Sequence, residues 1–160
     1  MAAMPVIELN TEINAPIERV FDLCLSIDLH QVSTAKSNER IVAGVASGLI
    51  GLGETVTWEA THFLIRQRLS VRITKFQRPE FFEDQMIKGA FRRFTHEHFF
   101  EQAGSKIKMF DRFDFDSPFG FIGKFADRLF LEEYMRRLII ERNKVIKQTA
   151  ESQEWKKFLK

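Results

Sequence analysis

Between residues 91 and 100 the chain reads FRRFTHEHFF, two histidines one residue apart among aromatics and charges. In a strand, side chains two apart share a face, so His96 and His98 point the same way, with Phe94 and Phe100 beside them. Such a pair has three chemical uses. It can ligate a metal, with His62 as a third imidazole. It can move protons, when a carboxylate such as Asp84 or Asp111 orients a ring. Or it can be the polar minority of a lined cavity, histidine and carboxylate satisfying one another across neighbouring strands. Two histidines at strand spacing are a weak metal signature, and no other soft ligand lies near them in sequence. The reading therefore expects no metal site and no cofactor.

The strands that must carry these groups follow from alternation. ETVTWEATHF puts Val56, Trp58, Ala60 and His62 on one face, opposite Thr55, Thr57, Glu59 and Thr61. IRQRLSVRITKF puts Gln67, Leu69, Val71 and Ile73 opposite Arg66, Arg68, Ser70 and Arg72. A hairpin turning near Leu64 and Ile65 makes the apolar faces coincide and pairs Thr61 with Arg68 and Glu59 with Ser70. Pro79 with Glu80, then Gly89, then Gly104 turn the chain into EFFEDQMIK, RRFTHEHFFEQ and SKIKMFDRFDF. On the same face these add Phe82, Asp84 and Met86; Phe94, His96, His98 and Phe100; and Ile107, Met109, Asp111 and Phe113. FFEDQMI also accepts the opposite phase.

Ahead of this run, Val6 to Asn14 alternates as a half-buried strand. Asn14 as cap and Pro16 in the first turn then start a helix over PIERVFDLCL. SIDLHQVS reads as a second short helix or turn with Ser26 or Asp28 as its cap, and Arg40 to Ala46 as a strand. SGLIGLGE follows, with Gly48, Gly51 and Gly53 spacing Leu49, Ile50 and Leu52, a flexible loop bearing apolar side chains. It is either a turn over the core or a gate to a cavity. From Phe121 onward a proline-free stretch rich in Leu, Arg, Glu and Lys, with Ile122, Phe125, Leu129, Met135 and Leu138 near helical spacing, makes one long helix.

The order strand, two short helices, six strands, long helix describes an α+β domain. One antiparallel sheet of about seven strands has a single apolar face, and the late helix is the element long enough to cover it. Residues 1–152 form one domain and 153–160 a C-terminal tail, in which Trp155, Phe158 and Leu159 sit beside lysines and fray or meet a neighbouring subunit. At 160 residues, 44% hydrophobic with 17 Phe, the chain buries an ordinary core. A net charge of +2 implies no nucleic-acid partner, and arginines such as Arg66, Arg68 and Arg72 are expected in cross-strand pairs with residues such as Glu59. The single Cys24 excludes an internal disulfide framework and packs as a small apolar residue. MAAMPVIELNTEI shows neither a basic start nor an apolar core, and no apolar run reaches membrane-spanning length. A cytoplasmic protein without stable membrane insertion is expected.

GLIGLGETVTWEATHF, RPEFFEDQMIKGAFRRFTHEH and SPFGFIGKFADRLFL, together with the element order, resemble the SRPBCC (START-like) superfamily. They are most similar to a bacterial ligand-binding or polyketide cyclase/dehydrase-like subfamily. The resemblance covers nearly the whole chain. It implies the helix-grip fold, a sheet curved around the C-terminal helix with a deep, mostly apolar pocket between them. It brings neither a substrate nor a list of catalytic residues.

The expectation is a domain that binds a hydrophobic or amphipathic small molecule, a lipid, isoprenoid or aromatic metabolite. The residues expected around it are Trp58, His62, Val71, Phe82, Asp84, Met86, Phe94, His96, His98, Phe100, Met109, Asp111, Phe113, Phe125 and Leu129, with Gly48 to Gly53 as gate. One alternative is an enzyme in which His96 or His98 and Asp84 or Asp111 transfer protons in a cyclisation or dehydration. Another is a partner-binding domain with a filled core.

Overall fold

The computed structural model describes residues 5–62, 64–116 and 123–160, with 123–129 as backbone only. In chain order the elements are β1 (Val6–Ile13), α1 (Ile17–Leu25), α2 (Ile27–Ser33), β2 (Arg40–Gly44), β3 (Thr55–His62), β4 (Ile65–Gln77), β5 (Phe81–Lys88), β6 (Arg93–Ala103), β7 (Lys106–Asp116) and α3 (Gly123–Glu151). Single 3-10 turns cover Ala35–Ser37 and Glu154–Lys157. The seven strands form one antiparallel sheet in the order β1-β7-β6-β5-β4-β3-β2. Strands β2 to β7 each pair with the next in sequence, and β1 closes on β7. This is the α+β architecture expected from the element order. Among the described residues no helix is long and apolar enough to cross a membrane.

Bulges at Ile41/Ala43 in β2 and at Ser70/Val71 and Ile73/Lys75 in β4 bend the sheet. The β3–β4 register differs from the expected one by two residues: Thr61 faces Arg66, Glu59 faces Arg68 and Thr57 faces Ser70. The connection is only residues 63–64, with His62 opposite Ile65 and Leu64 at φ 64°. A slip of two keeps every side chain on its face, so the apolar faces coincide in either register. Glu59 thereby gains Arg68, along with Arg40 and Arg66, at 2.5–2.8 Å. Hydrogen bonds from Arg68 and Arg40 hold its carboxyl at about 2. Arg66 and Arg68 of this face are thus engaged by the sheet's own carboxylate, whereas Arg72 stands in register with Thr55 and Gln85.

Three local expectations give way. Asn14 does not cap α1; its backbone N–H donates to Glu151 Oε1 at 2.8 Å, and Pro16, which lacks an N–H, occupies the cap position. Strand β2 stops at Gly44, at φ +82°, where a Cβ would stand 2.2 Å from the carbonyl oxygen of Thr55. The tail does not fray, because Trp155, Phe158 and Leu159 pack on the core and the Arg19 guanidinium lies 4.3 Å over the Trp155 ring. Ser26 does cap α2, its Oγ accepting from the N–H of Leu29 at 3.2 Å.

The sheet's apolar face is covered unevenly, and this creates the site. Phe21 of α1 packs edge-on against Phe76, Phe82 and Phe100. Cys24 reaches Met109, Sγ to Sδ 3.5 Å, and burial pushes its thiol up to about 12. Helix α3 packs on α1, α2 and β1. Its buried stripe Asn143, Ile146 and Ala150 repeats at helical spacing along this closed half. Over the rest of the sheet α3 stands off, leaving a hollow.

Candidate functional site

That hollow is a cavity of about 530 Å³ between the sheet, α2 and the first half of the described part of α3. Its walls are mostly apolar: Val56, Trp58, Ala60, Leu69, Val71, Ile73, Phe82, Phe91, Phe94 and Phe113 from the sheet side, and Leu131, Met135, Leu138 and Ile139 from α3. The volume lies in the range of small-molecule sites, where apolar walls supply affinity and a few polar groups fix orientation.

Of the residues expected around a ligand, Trp58, His62, Val71, Phe82, Asp84, Phe94, His96, His98 and Phe113 line this cavity. Phe100 and Met109 do not; they share the expected face, but α1 covers that end of it and buries them in the core. Met86 packs at the core's edge, in contact range of the position a Cβ on Gly89 would take. Asp111 is fully buried behind the histidines. Phe125 and Leu129 lie outside the residues whose side chains are described. Strand β5 takes the phase with Phe82 and Asp84 inward, while Glu83 bonds Lys75, Thr74 and Gln85 on the other face.

The polar wall is built by crossed diagonals across three strands. In register Asp84 faces His96, and His98 faces Asp111. The hydrogen bonds run the other way: His98 Nε2 to Asp84 Oδ2 at 2.7 Å, and His96 Nε2 to Asp111 Oδ1 at 2.9 Å. Diagonal partners on one sheet face are within reach of side chains of this length. His98 Nδ1 also lies 3.2 Å from Asp111 Oδ1, in ion-pair range but without an aligned hydrogen bond. From α3, Asn143 Nδ2 donates to Asp111 Oδ2 at 2.6 Å and the Arg142 guanidinium stands 3.6 Å from Oδ1. The two imidazoles lie tilted at 34° with their centroids 3.8 Å apart, and His98 stacks on Phe82 at 4.0 Å.

These contacts set the charges. Burial by itself would raise Asp111, but the hydrogen bond from His96 and the adjoining His98 ring hold its carboxyl well below the usual range. Asp84 is lowered in the same way, burial being outweighed by the bond from His98. Burial, together with the neighbouring His98, lowers His96, which is a neutral ring at neutral pH. Because an ionised carboxylate only accepts, His96 carries its hydrogen on Nε2 and keeps a lone pair on Nδ1.

A second polar group lines the cavity elsewhere. His62 Nδ1 and the Tyr134 hydroxyl are 2.5 Å apart, and His30 Nε2 lies 3.3 Å from Glu39 Oε2. The His30 ring lies tilted over Trp58 at 4.3 Å. His62 is thus separated in role from the His96/His98 pair. Tyr134, Glu39, His30 and Arg142 were not expected here. Arg142 follows Leu138 by four and Met135 by seven on one helix stripe, a spacing that carries the signal; Glu39 and His30 have no sequence signal we can name.

The loop from Gly48 to Gly53 is tied down at its ends and middle. Gly48 O accepts from Ile27 N, Ile50 N donates to Leu25 O and Gly53 N to Ile73 O, while Asp28 Oδ2 accepts from Gly48 N. Ile50 lines the cavity; Leu49 and Leu52 are exposed. The loop leads into the start of β3, whereas the exposed lining residues Ile65 and Arg68 sit in β4 alongside the other end of that strand, opposite His62 and Glu59.

No family model matches the chain, and no curated protein is similar to it in sequence. Solved structures are similar in shape. The Zhui aromatase/cyclase from Streptomyces sp. R1128 superposes with TM-score 0.74 at 13% identity, over 93% of this chain and 94% of that one. The protein TTHA0849 from Thermus thermophilus gives 0.70 at 15% identity, over 92% and 100%. The major latex-like protein 151 of Panax ginseng gives 0.63 at 10%, over 92% and 97%. The chain shares the helix-grip fold of these structures. At these identities the likeness is one of fold, and the helix-grip domain's own residues must supply the chemistry.

Proposed function

We propose that this domain binds a hydrophobic or amphipathic small molecule, with its apolar body in the cavity and a polar group at Asp84 and His98. The observation that carries this reading is the cavity of about 530 Å³ with mostly apolar walls and one buried polar cluster. A filled core would have left no such space, which weighs against the partner-domain alternative. The ligand enters at the hairpin, where Ile65 and Arg68 are exposed; the Gly48–Gly53 loop serves as a wall in this reading, because leaving would break its ties to α1, α2 and β4. Native mass spectrometry of freshly purified protein, followed by denaturing extraction, tests it. A co-purifying lipid, isoprenoid or aromatic metabolite is expected. Failure of a panel of such compounds to bind the folded protein would count against the reading.

The carboxylates flanking His98 favour a second reading, proton transfer in a dehydration or cyclisation. In a dehydration, an imidazole takes the proton beside a carbonyl, and the hydroxyl leaves as water with a proton from the cluster. The structural likeness to a protein named an aromatase/cyclase supports this reading at the level of fold alone. Here His98→Gln removes turnover and retains ligand affinity; in a pure binder the same change alters affinity only.

A further inference from the structure

We propose that Asp84, His96 and His98 form a site for one divalent first-row transition-metal ion at the cavity wall. The sequence offered only the histidine pair, with His62 as a third member; folding puts His62 on Tyr134 and brings Asp84 in from the neighbouring strand instead. Each of the three residues presents a donor atom within 4.8 Å of those of the other two. Bonds of about 2.1 Å place the donors of one ion roughly 3 to 3.5 Å apart, so a contraction on the order of 1 Å closes the site.

Asp111 is placed as the outer partner such a site needs. It faces His96 Nε2 at 2.9 Å and His98 Nδ1 at 3.2 Å, which leaves His96 Nδ1 and His98 Nε2 for an ion. A metal-bound imidazole ordinarily gives its other N–H to a carboxylate, and here one carboxylate serves both rings. Asn143 and Arg142 hold Asp111 in turn. With an ion on Nε2, the Nδ1–H of His98 belongs to Asp111, which gives a partner to a fully buried ring nitrogen that otherwise lacks an aligned one.

The donor set points to a class of metal. Two imidazoles and a carboxylate suit zinc, iron(II), cobalt(II) or nickel(II) rather than calcium or magnesium, which take oxygen ligands. All three residues line the cavity, so the remaining coordination positions open onto it. The site shares Asp84 and His98 with the ligand reading: a bound ion would meet the guest's polar group in place of those two side chains, and the apolar walls of the cavity are the same with or without it.

The test is a titration of tag-free, chelator-stripped full-length protein with cobalt(II), followed by visible absorption, with zinc(II) as competitor. One equivalent of cobalt is expected to produce a saturable band that zinc abolishes. His96→Ala, His98→Ala and Asp84→Asn remove the band, Asp111→Asn weakens binding by about 10- to 100-fold, and His62→Gln leaves it unchanged. Circular dichroism checks each fold. Should the histidine variants unfold, the partly exposed Asp84 and the His62 control decide. Absence of a saturable band in the folded wild type, its persistence in Asp84→Asn or its loss in His62→Gln would overturn the proposal.

Discussion

At the scale of residues, the chain uses imidazole and carboxylate in two distinct settings. His96 and His98 are engaged by ionised Asp111 and Asp84, whereas His62 meets a phenol. Burial lowers His62 from 6.5, with Glu39 opposing more weakly, and the Tyr134 hydroxyl is its neighbour. A ring whose folded value is depressed leaves the unfolded chain binding more protons just below 6.5. The stability it contributes is therefore complete above that pH and is lost as pH falls through the folded value. Urea unfolding at pH 7.5 and 5.5 should show a smaller acid loss in His62→Gln than in the wild type. An unchanged difference between the two pH values would remove His62 from the account.

At the scale of elements, alternation made most of the sheet legible, and the exceptions are places where backbone geometry outweighs pattern. The glycines illustrate this. Gly48 sits at φ +75° with open space around its Cβ direction, whereas Gly44 at φ +82° would drive a Cβ into the Thr55 carbonyl of the paired strand. Gly48→Ala should cost about 1–2 kcal/mol, the left-handed backbone term alone. Gly44→Ala should cost clearly more and loosen β2, read as a larger fall in urea midpoint and faster amide exchange at Arg40–Gly44. Equal costs would mean that the β2–β3 approach relaxes freely. The two-residue error in the β3–β4 register has a similar origin: hairpin register is fixed by loop length, and a loop as short as residues 63–64 leaves little trace in hydrophobic periodicity.

At the scale of the whole molecule, the proposed function depends on where α3 does not touch the sheet. Along β1 and α1 it closes a conventional core; farther toward its N-terminus it leaves the cavity. If that space is the binding site, filling it should cost affinity and not stability. Ala60→Trp, which puts an indole into the cavity, should weaken uptake of an apolar fluorescent probe by at least about tenfold, or ~1.4 kcal/mol, without lowering the melting temperature. Phe99→Ala, on the other face of the sheet, should leave uptake unchanged. Equal effects from the two would place the probe elsewhere.

By itself the sequence determined the element order, the inward face of most strands, though not the phase of β5, and the presence of histidines and carboxylates on one face, because periodicity and turn residues are local properties. It also carried the likeness to helix-grip proteins. Only tertiary structure decided which inward residues face a cavity and which a core. Phe100 and Phe94 have the same alternation, yet α1 buries one and the cavity exposes the other. It likewise decided the pairing, since Asp84 with His98 and Asp111 with His96 join residues from three strands along diagonals set by register. Arg142 and Asn143 reach the cluster from a helix more than thirty positions beyond it in the chain. Contacts made at that separation arise from packing and leave no periodic mark on the residues that make them.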